Sequence, residues 1–219
     1  MDSGEAAPGP VIKRKRRRPR RRIKGGRRSE ISAATRIEIL KSAAAAFRKL
    51  GYHGATVEQI AAALRMKKGN LYYYFKNKEE ILFACHAYSH DRLQELLDDA
   101  VRSTAPPESK LRRLIVGAVH VILDELHGTA LLLDLEALSP AHLKAVVIRR
   151  DRFDRGMRLI IEEGMATGAF AAGDPKLLGF AMLGALNWIS RWFNPSGPST
   201  SEEIATRFAD YLIAGLRAS

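Results

Sequence analysis

Between Lys67 and Lys78 the chain reads Lys-Lys-Gly-Asn-Leu-Tyr-Tyr-Tyr-Phe-Lys-Asn-Lys, a run in which cations, an amide and three phenols surround two apolar residues. Carboxamides pair with the edge of adenine and ammonium groups with guanine, while lysines and phenols also donate to phosphates, so these residue types suit nucleic-acid readout. If the run is helical, Leu71 and Phe75, four apart, anchor it to a core and Lys68 and Asn70 near its N-terminus reach base edges. The tyrosines have an alternative use as core residues, because aromatic rings bury large areas. Catalytic chemistry has no comparable signature: there is no Gly-x-Ser-x-Gly elbow, phosphate-cradling glycine loop or His-Glu-x-x-His pair. His86 and His90, four apart beside the single cysteine Cys85, allow a metal site to be drawn, but without a further ligand set they read as packing and surface residues. No catalytic residue, metal or cofactor is expected.

The elements that must position this run are helical. Ile37, Leu40, Ala44, Phe47 and Leu50 recur at spacings of three and four and form one apolar stripe, which Gly51 ends. Thr56 followed by Gln59 is a capping box opening a short second helix, a third short helix runs through residues 69–75, and Asn77 caps a fourth from Lys78 to about Arg102. Pro106-Pro107 stops that helix. Further helices are expected over 108–127, 129–138, 140–167, 174–193 and 200–217. No segment alternates with period two, so the fold class is all-α.

Charge is distributed unevenly. Of 36 Lys/Arg and 24 Asp/Glu, residues 1–28 hold twelve and two, which leaves 24 basic and 22 acidic residues over 29–219, a net of +2 on a nearly neutral body. Pro, Gly, Arg and Lys dominate residues 1–28, and such a segment cannot repay the entropy of ordering, so a disordered basic arm is expected. It either tracks phosphates or a minor groove, or is a solvated tail. No run of eighteen apolar residues exists and the N-terminus is charged where a signal peptide is apolar, so no membrane association and a cytoplasmic location are expected.

A short helix, a tight turn and a second short helix packed on a longer first helix is a helix-turn-helix. Thr35 to Leu82 closely resembles the DNA-binding domain of the TetR family: Ile39, Ala43, Phe47, Gly51, Thr56, Val57, Ile60-Ala61, Gly69, Leu71-Tyr72, Phe75, Lys78 and Glu79 stand where that pattern expects them. The resemblance implies a three-helix DNA-binding domain over 29–80, after the arm over 1–28, and a larger helical ligand-binding and dimerisation domain over 81–219. It implies double-stranded DNA as partner and Tyr72, Tyr74 and Lys78 as contacts, largely to phosphates. Thr56 combines its capping role with a phosphate contact, and Lys67, Gly69 and Tyr73 complete the expected DNA-facing set with Lys68 and Asn70. Two residues depart from the family's turn, Arg65 where glycine is common and Lys67 where a small hydroxyl usually caps the reader helix. A positive φ at Arg65 implies strain on the order of 1–2 kcal/mol.

In the second half, Arg149-Arg150-Asp151-Arg152-Phe153, Ile160-Ile161-Glu162-Glu163-Gly164, the stretch from Asn187 to Pro198 and Ser201-Glu202-Glu203-Ile204 resemble TetR repressors of fatty-acid, aromatic-acid and steroid catabolism. Those relatives commonly respond to acyl-CoA thioesters, which implies a small-molecule effector of that class. Arginines suit CoA phosphates and an indole suits adenine, so Arg149, Arg150, Arg152, Arg191 and Trp188 are the candidate contacts. Salt bridges to Asp151, Asp154 or Glu162 are the plain alternative for the arginines, and interface packing for Trp188 and Trp192. The family also implies a homodimer through the last two helices, whose apolar faces are broad. The rival effector is a hydrophobic drug-like molecule controlling efflux genes. An acyl-CoA enzyme and a nonspecific nucleoid protein are the rivals from other classes.

Overall fold

The computed structural model describes residues 24–126 and 134–217, with side chains from Ser32 onward. The chain divides into two units, residues 1–34 and 35–219. Of the first, the described part is the opening of helix α1 (Lys24–Gly54); the rest of the expected arm lies outside the described residues. The helix starts inside the stretch expected to be arm: Lys24, Arg27 and Arg28 are good helix formers, and propagation from an established helix offsets the cost of Gly25 and Gly26 between them. Gly51 interrupts α1 with φ 70°, where the sequence places its end.

The second unit continues with α2 (Val57–Ala63), α3 (Lys68–Tyr72), α4 (Lys78–Arg102), α5 (Pro107–His120), α6 (Pro140–Ala166), α7 (Pro175–Trp192) and α8 (Ser201–Ala214). No strand occurs among the described residues, and the all-α expectation holds. The capping signals act as read: Thr56 and Gln59 form the capping box of α2, and the Asn77 side chain accepts from Glu80 N–H at the start of α4. Two expected helices differ. The one over 108–127 ends at His120 and passes into a π-turn, Val121–Glu125, while residues 129–133 lie outside the described residues and the remainder of 129–138 holds only a 3-10 turn, Leu135–Ala137. No described helix is long and apolar enough to cross a membrane.

Two cores organise this unit. One joins Ile39, Ala43 and Phe47 of α1 with Ile60, Leu71 and Phe75, so Leu71 and Phe75 anchor α3 as expected, whereas Leu50 next to the break in α1 is 43% exposed. The other joins α4, α5, α6, α7 and α8 through residues such as Leu97, Leu114, Ile160, Leu186 and Ile213. Helix α4 enters both, with Ile81, Leu82 and Cys85 in the first and Leu93, Leu97 and Ala100 in the second. Between these two apolar stretches lie three buried polar residues, His86, Ser89 and His90. Cys85 is fully buried, its thiol 3.6 Å from the Leu40 carbonyl oxygen and pushed up to about 12 by burial. In the second core Lys110 is buried and its ammonium donates to both carboxylate oxygens of Glu163, at 2.8 and 2.9 Å, tying α5 to α6.

The turn between α2 and α3 carries the strain its sequence implies. Arg65 has φ 55°. Met66 N–H donates to Ala61 O and Arg65 N–H to Ala62 O, both at 2.9 Å, which is the paired closure of a helix end around a left-handed residue. An L side chain there costs roughly 1–2 kcal/mol, and glycine returns part of that through its freer unfolded state, so Arg65→Gly should stabilise the domain by about 0.5–1 kcal/mol. Urea unfolding of the two proteins checks this; an unchanged or lower midpoint would mean that the arginine makes a compensating contact.

Candidate DNA-reading surface and ligand cavity

The reader is α3. Lys67 is its N-cap and makes no side-chain capping bond, as the missing hydroxyl implies. Lys67, Lys68, Gly69, Asn70, Tyr72 and Tyr73 are exposed together along α3 and its ends, with Tyr73 the most exposed of the tyrosines at 81%. Tyr74 is half-buried and meets Tyr73 edge-on, with ring centroids 5.2 Å apart. Lys68 is not free: it forms an ion pair with Glu58 of α2 and lies 5.6 Å from the centroid of the Tyr72 ring. Their mutual hydrogen bond holds the Glu58 carboxyl below and the Lys68 ammonium above their usual ranges. Thr56 is exposed at the head of α2, its hydroxyl accepting from Gln59 N–H at 3.2 Å.

Lys78 has a different placement from these. Its ammonium donates to Tyr52 O at 2.7 Å and Ala55 O at 2.9 Å and lies 4.4 Å from the centroid of the Tyr52 ring, so it closes the turn that follows the break in α1. The next residue, Glu79, accepts from Ser139 N–H at 2.9 Å and meets His142 Nδ1 at 2.7 Å at the head of α6. Burial alone would raise the Glu79 carboxyl, but the Ser139 and His142 hydrogen bonds outweigh it and hold it below its usual range. Phe83, one turn along α4, stacks flat on the His142 ring at 4.0 Å. The first turns of α4 are thereby fastened to α1 on one side and α6 on the other. No local pattern could reveal this clamp, since Glu79 and His142 are far apart in sequence.

A cavity of about 540 Å³ lies between α4, α5, α6 and α7, reached also by the π-turn through Ile122. This size falls among small-molecule sites of roughly 300–1,000 Å³. Leu93, Ala118, Phe153 and Leu186 give it apolar walls, while Arg150, Asp151 and Asn187 bring polarity and His90 borders it from α4. Of the five residues proposed from the sequence for the ligand, Arg150 lines the cavity. Arg149 instead donates to Asp91 at 3.1 Å, and Arg152 lies 3.6 Å from Asp98. Trp188 and Arg191 are exposed on α7 and are not among the residues that line the cavity. Asp154, another lining residue, pairs with Arg158, whose guanidinium lies 5.0 Å from the centroid of the Phe180 ring at the cavity edge. Among the described residues no group of His, Cys, Asp and Glu could hold a metal ion.

From the cavity edge at Phe180, α7 carries an exposed apolar stripe in both directions along the helix. Leu177, Phe180, Trp188 and Trp192 recur at helical spacing and are each about half exposed or more, and Tyr211 of α8 is 67% exposed. Trp192 stacks on Phe208 of α8 with centroids 6.2 Å apart, so the stripe spans both helices.

A helix-turn-helix joined through one shared helix to a helical body is the architecture of a DNA-binding transcriptional regulator. The chain belongs to the TetR family. Residues 39–85 match the bacterial regulatory proteins of the tetR family, and residues 104–216 match the tetracyclin repressor-like C-terminal domain. It is 30% identical over 195 residues to the HTH-type transcriptional repressor KstR2 of Mycolicibacterium smegmatis, covering 85% of this chain and 93% of that one. Among solved structures it is similar to the TetR family regulator PfmR from Thermus thermophilus, with 32% identity, coverage of 82% and 99% and a TM-score of 0.74. It is also similar to AibR in complex with isovaleryl coenzyme A and operator DNA, with 28% identity, coverage of 83% and 97% and a TM-score of 0.68.

Proposed function

We propose that the protein is a dimeric repressor that leaves its operator when an acyl-CoA thioester enters the cavity. The observation that carries this reading is the course of α4, which borders the cavity at His90 and Leu93 and, twelve residues earlier, is clamped beside the reader by Lys78 and Glu79. Twelve residues of helix span about 18 Å, so a small tilt at the cavity becomes a displacement at the DNA. The effector must bind the released conformer more tightly, by about 5.5 kcal/mol for a full reversal from 1:99 to 99:1. Two copies joined through the exposed stripes of α7 and α8 present two α3 helices to successive major grooves. An acyl group fills the apolar walls while Arg150 meets a CoA phosphate, and Trp188 serves the interface. The likeness to AibR, bound to isovaleryl coenzyme A and DNA, supports the effector class.

Fluorescence-anisotropy titration of labelled operator with a panel of aliphatic and aromatic acyl-CoA thioesters tests the reading. Release at micromolar thioester is expected, with free CoA and free acid each much poorer, because neither fragment alone recovers the whole interaction. Release by a hydrophobic cation and by no thioester would turn the assignment toward the drug-sensing alternative.

DNA contacts are assigned to Thr56, Lys67, Lys68, Gly69, Asn70, Tyr72, Tyr73 and Tyr74, with Lys78 positioning the turn behind them. Gly69 is exposed and a Cβ there meets no protein atom within 4 Å, so its bareness matters only toward a partner. Asn70→Ala should relax base preference by about 1–3 kcal/mol at one position. Lys68→Ala should cost less, because Lys68 must first leave Glu58, its partner in an exposed ion pair. Selection from randomised duplexes reads both, and unchanged preference in both variants would move the reader off α3.

A further inference from the structure

His90 is the one lining residue of the cavity that combines near-complete burial with unused hydrogen-bonding capacity. It is 6% exposed, both its ring nitrogens are closed to solvent, and neither has a hydrogen-bond partner among the described residues. A buried polar group left without a partner costs the folded state, and such a group at the wall of a ligand cavity gains on binding what it lacks in the free protein. We propose that His90 is the polar contact of this cavity and receives a neutral carbonyl or hydroxyl oxygen from the buried part of the ligand. The inference rests on the reading of the cavity as the effector site.

The chemistry narrows the partner. Burial, with His86, Arg150 and Arg149 adding to it, pushes the His90 imidazole down to about 3, so the ring is neutral and offers one N–H donor and one acceptor nitrogen. A carbonyl oxygen takes the N–H, and a hydroxyl serves either nitrogen. Leu93, Ala118 and Ile122 line the same cavity, and a formal charge on the ligand is drawn to the Arg150 guanidinium rather than to a neutral imidazole, which leaves His90 an uncharged oxygen. Engagement takes a turn of the ring toward the cavity, and the second side-chain torsion of histidine is broad enough to permit it.

The test uses the full-length protein and two small probes of similar size, acetophenone and ethylbenzene, which differ by a carbonyl oxygen. Affinities are measured by ligand-observed NMR for the wild type, His90→Leu and His90→Gln, with the imidazole nitrogen shifts followed in the wild type. The wild type should favour acetophenone, after allowance for the probes' partition from water, by several-fold to about tenfold, as one neutral hydrogen bond gives. His90→Leu should lose that preference, His90→Gln should keep part of it, and one wild-type imidazole should shift with acetophenone alone. The same preference in wild type and His90→Leu would overturn the inference, as would benzoate binding that is tighter than acetophenone and depends on His90. If the preference holds while no thioester releases operator, His90 stands as the polar contact and the acyl-CoA reading falls.

Discussion

Replacing Glu163 with alanine lowers the stability of the protein by about 2–4 kcal/mol. The cost lies with the partner rather than with the residue removed. Lys110 is the buried member of the pair, its side chain 8% exposed against 43% for Glu163. Without the two carboxylate oxygens at 2.8 and 2.9 Å its ammonium is left in a buried position with its carboxylate partner gone. Replacing both residues, Lys110→Met with Glu163→Gln, should restore most of the loss, since a buried ion pair exchanged for apolar packing is often neutral. Equilibrium urea unfolding of the single and double variants checks the expectation, and a loss under about 1 kcal/mol in Glu163→Ala would show that the lysine bends out to water.

The second large effect is on DNA. Deleting residues 1–22 removes nine Lys/Arg and should weaken binding to every duplex. The slope of log affinity against log salt falls by about 0.9 for each phosphate the arm contacted, so with about six contacts the advantage of the intact chain shrinks roughly a thousandfold between about 50 and 200 mM salt. Preference among operators should survive, because phosphate contacts carry no base information. Equal affinities at all salt concentrations would make the arm a passive tail or assign it to another partner.

Much of this architecture is legible in the sequence because local rules act locally. The capping box at Thr56, the stop at Gly51, the cap at Asn77 and the left-handed Arg65 are each decided within a few residues, and the structure agrees at all four. Where a helix is apolar on more than one face, periodicity cannot tell core from interface. On α7, Met182, Leu186 and Ile189 are buried, while Trp188 and Trp192 form the outward stripe. The arginines of α6 pose a related problem: three cations within four residues point in different directions around a helix, and Arg150 alone among them borders the cavity. The motif marks Lys78 only as a DNA contact, and the three backbone carbonyls after the break in α1 that lie within reach of its ammonium are a tertiary feature the motif does not carry. The clamp of Glu79 on His142 and the unused nitrogens of His90 arise from tertiary packing and leave no local trace.

The burial of Cys85 has a practical consequence for watching the protein work. The nucleophile in alkylation is the thiolate, and a thiol buried at 0% exposure and shifted to about 12 is almost wholly protonated near neutrality. Maleimide dyes and nitroxide labels should therefore leave the folded protein unmarked, giving a silent background with no need to replace the cysteine. A single new thiol at the exposed Lys76 just past the reader helix, Lys76→Cys, then becomes the sole addressable point in each copy of the chain. Two such labels in a dimer form a spectroscopic ruler between the reading helices, which operator DNA should set near one helical turn, about 34–36 Å, and which an effector should lengthen or shorten.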